Sequence, residues 1–128
     1  MRMSLALHLV KSTLAVARLP AKAGLPWWAA TSGFLSVTRT PDETSVVCDA
    51  ERVPDGVRAE RGLRAMRVAG PIPFETTGVL ASLATPLAGA GVPIFVVSTF
   101  DTDYLLVPEA MTASAISALQ KAGHTVAG

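Results

Sequence analysis

A chain of 128 residues with 50% hydrophobic content is long and apolar enough to bury a core, which excludes a disordered segment. A formal net charge of +1 gives no electrostatic basis for gripping nucleic acid or an anionic membrane, and no partner of either kind is expected. The single cysteine cannot form an internal disulfide, so folding without oxidation and a cytoplasmic location are expected.

The first residues, Met1-Arg2-Met3 running into Leu5-Ala6-Leu7, open like a secretion signal, but His8 and Lys11 interrupt the apolar run. Leu5, Leu7 and Leu9 alternate as a strand does. Two apolar runs, residues 5–10 and 14–19, flank Lys11-Ser12-Thr13 and read as two strands of a hairpin, a short helix being the alternative. No uncharged stretch approaches the roughly 20 apolar residues that span a bilayer. Residues 20–26 (PAKAGLP) form a loop by their Pro and Gly content. Of Trp27-Trp28, one indole is expected to plug the edge of the first sheet. Stacking on a ligand is the functional alternative, and core packing is favoured because tryptophan buries a large apolar area.

Residues 34–40 alternate as a strand, Pro41-Asp42-Glu43 turns, and residues 44–48 return, giving a hairpin. Cys48 reads as a small buried hydrophobe, since no histidine or basic cluster lies near it in sequence to make a reactive thiol. In residues 51–67 the arginines Arg58, Arg61, Arg64 and Arg67 invite a basic-helix reading. Interspersed acids with Pro54, Gly56 and Gly62 favour a solvated connector leading into a strand.

Residues 64–107 organise the rest. Met66 and Val68 mark a strand, and Gly70-Pro71-Ile72-Pro73 a turn. Glu75, Thr76 and Thr77 supply capping-type side chains ahead of Val79, Leu80, Leu83 and Leu87 at helical spacing, and Gly89-Ala90-Gly91 stops that helix. Apolar strands at residues 93–97 and 104–107 flank a polar tip, residues 98–103. A second helix over residues 111–122 turns Ile116 and Leu119 inward, and Gly123 ends it. Residues 124–126 are a final edge strand on which His124 is expected as a surface or edge residue, not a catalyst. The order βαββαβ predicts an α+β, ferredoxin-like sandwich, an antiparallel sheet with both helices on one face, plus a smaller strand-rich N-terminal layer. The expected division is 1–60 and 61–128.

The chain has no phosphate loop, paired cysteines, metal-spaced histidines or nucleophile elbow. No catalytic residue, metal or cofactor is assigned, and an enzyme is not expected. Asp101, in the tight tip, reads as a turn cap. Two features suggest a ligand site. Free backbone amides at a helix N-terminus, in the turn at residues 70–79, favour a carboxylate, and Gly78 lets a ligand approach the backbone. The carboxylates of the tip suit an ammonium group, so the pair fits a zwitterion. A plain turn-and-cap explanation is the alternative.

Residues 34–48 (FLSVTRTPDETSVVC), 70–83 (GPIPFETTGVLASL) and 94–109 (IFVVSTFDTDYLLVPE) together resemble the small bacterial ACT-domain proteins related to the cytosolic arginine-sensor (CASTOR) family. The resemblance implies tandem ACT-like units, the N-terminal one reduced, with an amino acid or similar small ligand held at an interface between units. It implies ligand contacts at Gly78 and Val79, and then at Thr99, Phe100 and Asp103, with Asp103 on the ligand's amine. The ligand-binding set read from the two stretches is Thr77, Gly78, Val79, Ser98, Thr99, Phe100, Asp101 and Asp103. Ser36-Val37 is a further possible counterpart and is not included. The chain is shorter than the four-unit sensor, so a comparable interface needs a homodimer or its own two units. Asp101 is an extra acid, so the ligand need not be arginine. A small regulatory sensor with an unidentified protein partner is the resulting expectation. Its alternative is a ligand-free interaction or dimerisation module. Last comes an enzyme using Asp101 and Asp103 as acid and base.

Overall fold

A computed structural model describes residues 3–128. In chain order the elements are β1 (Ala6–Leu19), β2 (Leu35–Arg39), β3 (Thr44–Asp49), β4 (Ala59–Val68), α1 (Val79–Gly89), β5 (Phe95–Ser98), β6 (Asp103–Pro108), α2 (Thr112–Lys121) and β7 (Thr125–Ala127). They fall into two compact units, one of Ser12–Leu63 and the other of the residues up to Lys11 with Arg64–Gly128. The expected hairpin at the start of the chain is instead the single strand β1, 14 residues long. Lys11-Ser12-Thr13 holds none of the Gly, Pro, Asn or Asp residues that turn a chain, and Lys11 and Ser12 simply face water. The expected connector over residues 51–67 is likewise a strand from Ala59 onward. Two of its arginines are tied to main chain: Arg61 donates to the carbonyls of Val53 (3.1 Å) and Pro54 (2.8 Å), and Arg64 to that of Val10 (3.1 Å).

In the unit of Ser12–Leu63, β3 lies between β1 and β2, antiparallel to both, with Ala15 and Leu35 flanking Cys48. Strand alternation puts Ala15, Ala17, Val46 and Cys48 on one face, where Trp28, Ala29 and Val53 complete a core. Trp28 is the plug expected from the sequence, at 7% exposure, while Trp27 is 83% exposed. Cys48 is fully buried, and that burial pushes its thiol above the ordinary value. The neighbouring Asp49 charge adds to the rise and Arg52 opposes it.

In the other unit the strand order is β7–β1–β4–β6–β5, with both helices contributing to one core. Strands β5 and β6 pair antiparallel through Val96↔Leu105 and Val97↔Tyr104, as the sequence order predicts. The start of β1 is the addition: it runs parallel to β7 through Leu7↔Val126 and lies between β7 and β4. Ala69 donates its amide to the Ala6 carbonyl at 2.8 Å, and Thr125 to that of Leu5 at 2.9 Å. The α+β class with two helices and a mostly antiparallel sheet stands. Leu83, Leu87, Leu105 and Leu119 are all 0% exposed, and burying each contributes on the order of 1.5–3 kcal/mol.

Helix α1 begins without the side-chain cap expected from Glu75, Thr76 or Thr77. Its N-cap is Gly78, at φ 83, and no side chain bonds there. Helix α2 also lacks a side-chain cap. Pro86 lies inside α1 and has no amide hydrogen, so the Ser82 carbonyl one turn earlier has no helical donor. His124 supplies one. Its Nε2 lies 3.1 Å from the Ser82 carbonyl oxygen, and its Nδ1 accepts the Leu5 amide at 3.0 Å. A carbonyl only accepts and an amide only donates, so the ring is held as the neutral tautomer with its proton on Nε2. Of the surface or edge position expected for His124, the surface part is corrected: it directly precedes the edge strand β7 but is 4% exposed, because it satisfies two main-chain groups.

Candidate functional site

The loop that leaves β4 and the tip between β5 and β6 are stitched together at their bases. Thr102 turns its hydroxyl inward and donates to the Val68 carbonyl at 2.6 Å, while Ile72 donates its amide to the Asp101 carbonyl at 2.8 Å. A Cβ on Gly70 would lie 3.2 Å from both the Asp101 oxygen and the Ile72 nitrogen, so only glycine permits this approach without displacement. The tip is a short turn in which the Thr99 amide donates to the Thr102 carbonyl at 2.8 Å and the Thr102 amide to Thr99 Oγ1 at 3.2 Å. Thr99, not Asp101, is thus the side chain that caps the tip. The Asp101 carboxylate is exposed and takes no hydrogen bond among the described residues.

These loops frame a cleft of about 160 Å³ lined by Ile72, Pro73, Phe74, Thr76, Val79, Ser98, Thr99, Phe100, Asp101, Thr102 and Asp103. Of the lining residues Val79 and Thr102 are buried, and Ile72 and Asp103 are half-buried. The Ser98 hydroxyl donates to Asp103 Oδ1 at 2.6 Å, which orients the carboxylate. Among the described residues no lysine or arginine lines the cleft, and the charged side chains of its lining are two carboxylates. Helix α1 begins at Val79, which lines the same cleft. Its first helical bond runs from the Ser82 amide to the Gly78 carbonyl, at 2.9 Å. The amides of Val79, Leu80 and Ala81 therefore have no partner among the described residues, and they carry the positive end of the helix dipole.

Of the residues picked out in the sequence, Val79, Ser98, Thr99, Phe100, Asp101 and Asp103 line this cleft. Thr77 and Gly78 do not; Gly78 instead sets the start of α1. Sequence reasoning missed Ile72, Pro73, Phe74, Thr76 and Thr102. Phe74 had a legible signal, since a phenylalanine beside a Pro-Ile-Pro turn has no strand or helix to bury it. Thr102 had none, because a threonine in a polar tip looks like any surface residue until its hydroxyl is seen to reach β4. Among the described residues no group of histidine, cysteine or acidic side chains is disposed to hold a metal, and no helix is long and apolar enough to cross a membrane.

Two helices and the sheet of this unit share one core, and the cleft lies beside the start of the first helix. The ACT-domain profile matches residues 58–121, and this chain belongs to the ACT-domain family. A second profile, describing an N-terminal domain, matches residues 12–56. The human cytosolic arginine sensor for mTORC1 subunit 1 is 41% identical over 59 residues, which is 45% of this chain. That match spans only 18% of the sensor's length. A solved Agrobacterium tumefaciens protein is similar over 98% of this chain and 95% of its own, at 38% identity and a TM-score of 0.92. The regulatory subunit of aspartate kinase from Thermus thermophilus shares the fold, with a TM-score of 0.62, 12% identity, and coverage of 89% of this chain and 96% of that one.

Proposed function

We propose that this protein is a regulatory ACT protein, not an enzyme, that binds an amino acid in the cleft between the α1 N-terminus and the β5–β6 tip. The observation that carries the reading is that Val79, which opens α1 with an unpartnered amide, and the Asp103 carboxylate line one cleft. A ligand carboxylate suits the amides and its ammonium suits Asp103. Ser98, Thr99, Phe100 and Asp101 complete the proposed contact set, with Thr77 and Gly78 outside the lining and setting the start of α1. The likeness to an arginine sensor supports a ligand of this class. The second carboxylate, Asp101, favours a ligand with surplus positive charge.

The cleft, about 160 Å³, falls short of the roughly 300 Å³ at which small-molecule pockets begin. A second copy is the proposed cover. Strand β5 ends the strand order and exposes Phe95, so a partner's β5 can extend the sheet there and close the cleft. The ligand then favours the closed dimer, which a protein partner in the cytoplasm reads by population shift. The test is a thermal-shift and calorimetric screen of the free amino acids with wild type and Asp103→Ala. A reproducible rise with one compound, abolished in Asp103→Ala, supports the site, since a ligand that binds only the folded state must raise Tm. Binding that survives the substitution places the ligand elsewhere.

The exposed Phe95 on an unpaired edge favours a second reading, a ligand-free dimerisation module. Concentration-dependent dimers with no response to any amino acid would select it.

A further inference from the structure

Phe74 and Phe100 are the most exposed large apolar side chains of their unit, at 82% and 84%, and both line the cleft. Phenylalanine is ordinarily buried, so two rings held open at one mouth call for a ligand or a covering surface. They touch each other rather than the core, with ring centroids 6.1 Å apart and planes tilted by 35°. That lies within the usual range for an aromatic pair. Each ring sits on its own short turn. Phe74 rides the turn closed by the Thr76 amide on the Pro73 carbonyl, and Phe100 the turn closed by the Thr99 amide on the Thr102 carbonyl. The bond from Ile72 to Asp101 ties the bases of both turns, so the rings are placed by a fixed frame and remain free at their tips.

Burial divides the lining chemically. Of the groups suited to an amino-acid head, Val79 is buried and Asp103 half-buried, whereas the two rings are exposed. A ligand anchored by its head at Val79 and Asp103 leaves its side chain to meet the rings. We propose that Phe74 is a specificity-determining residue that, with Phe100, forms an aromatic clasp for the ligand's side chain. The site then selects amino acids whose side chains reach the rings over those with none, such as glycine and alanine. This inference rests on the reading of the cleft as an amino-acid site. The clasp works by removing water from both ring faces, which a short side chain cannot do.

The experiment measures Kd by calorimetry for glycine, alanine, methionine, phenylalanine and arginine with wild type, Phe74→Ala, Phe74→Tyr and Asp103→Ala. In wild type the long side chains bind at least about tenfold tighter than alanine. Phe74→Ala removes that preference while leaving alanine within about twofold, and Phe74→Tyr restores it. The free protein's Tm stays unchanged in both Phe74 variants, because the ring is exposed. Equal weakening of every ligand, or an unchanged preference in Phe74→Ala, overturns the clasp. Loss of all binding in Asp103→Ala beside a normal Phe74→Ala keeps the amino-acid site and overturns this inference alone. A shift in sedimentation of Phe74→Ala with preference intact assigns the rings to the dimer surface and overturns it too. Wild type that binds none of the five overturns both readings.

Discussion

His124 shows how much one side chain can hold when its partners are main chain. Replacing it with leucine leaves the Leu5 amide and the Ser82 carbonyl without partners. Each orphan costs about 1–3 kcal/mol, so His124→Leu should lower stability by about 2–6 kcal/mol in urea unfolding. Cys48 gives a pH signature. Its thiol is held neutral by burial in the folded chain, so the folded state binds this proton more tightly than the unfolded one. The stabilisation is complete below the thiol's unfolded pKa and is lost as pH climbs past about 8.5 toward the raised folded value. Unfolding free energy should fall across that alkaline range in wild type and less steeply in Cys48→Ala. The burial of Cys48 was legible, because a lone cysteine on an alternating strand has little else to do. The burial of His124 was not: its partners lie at Leu5 and Ser82, and no local pattern announces contacts so distant in sequence.

At the scale of elements, α1 makes the clearest case for backbone over side chain. The apolar spacing of Val79, Leu83 and Leu87 announced the helix, and Gly91 near its end takes φ 73 as a stop signal should. The threonines that looked like caps do not cap, because Gly78 at φ 83 turns the chain into the helix on its own. An alanine there must adopt the left-handed region at about 1–2 kcal/mol. Gly78→Ala should therefore lose that much stability in denaturant titration and also weaken ligand binding, by moving the free amides of the first turn. β1 carries the opposite lesson. Its two halves alternate apolar residues well enough to be seen as strand, yet nothing local says whether Lys11-Ser12-Thr13 turns or continues. Pairing of Leu14 with Asp49 and of Leu7 with Val126 decides it, and pairing is tertiary information.

For the molecule as a whole, the βαββαβ order in the second half was readable from periodicity and glycine stops alone. The parallel pairing of β1 with β7 was not, since it joins the two ends of the chain. The walls of the candidate cleft were readable as two loops, but their meeting depends on the stitch between Ile72 and Asp101, which has no sequence signature. If a second copy covers the cleft, assembly and ligand binding must move together. Phe95→Lys places a charge on the β5 edge and should shift sedimentation toward monomer, with the dimer constant weakened roughly tenfold or more. Ligand affinity should fall in parallel. Unchanged ligand binding by a monomeric Phe95→Lys variant would show that one copy suffices.

Pro86 and His124 also form a pair that selection must treat as one. A proline at position 86 is tolerable only while something outside α1 donates to the Ser82 carbonyl, and His124 is that donor. Restoring an amide by Pro86→Ala lets the helix satisfy the carbonyl itself. In that background His124→Leu should cost measurably less than it does beside Pro86, a coupling that a double-mutant cycle reads directly. Across relatives the two positions should drift together: a chain that lacks the proline is free to lose the histidine, and a chain that keeps the proline must keep a donor in its place.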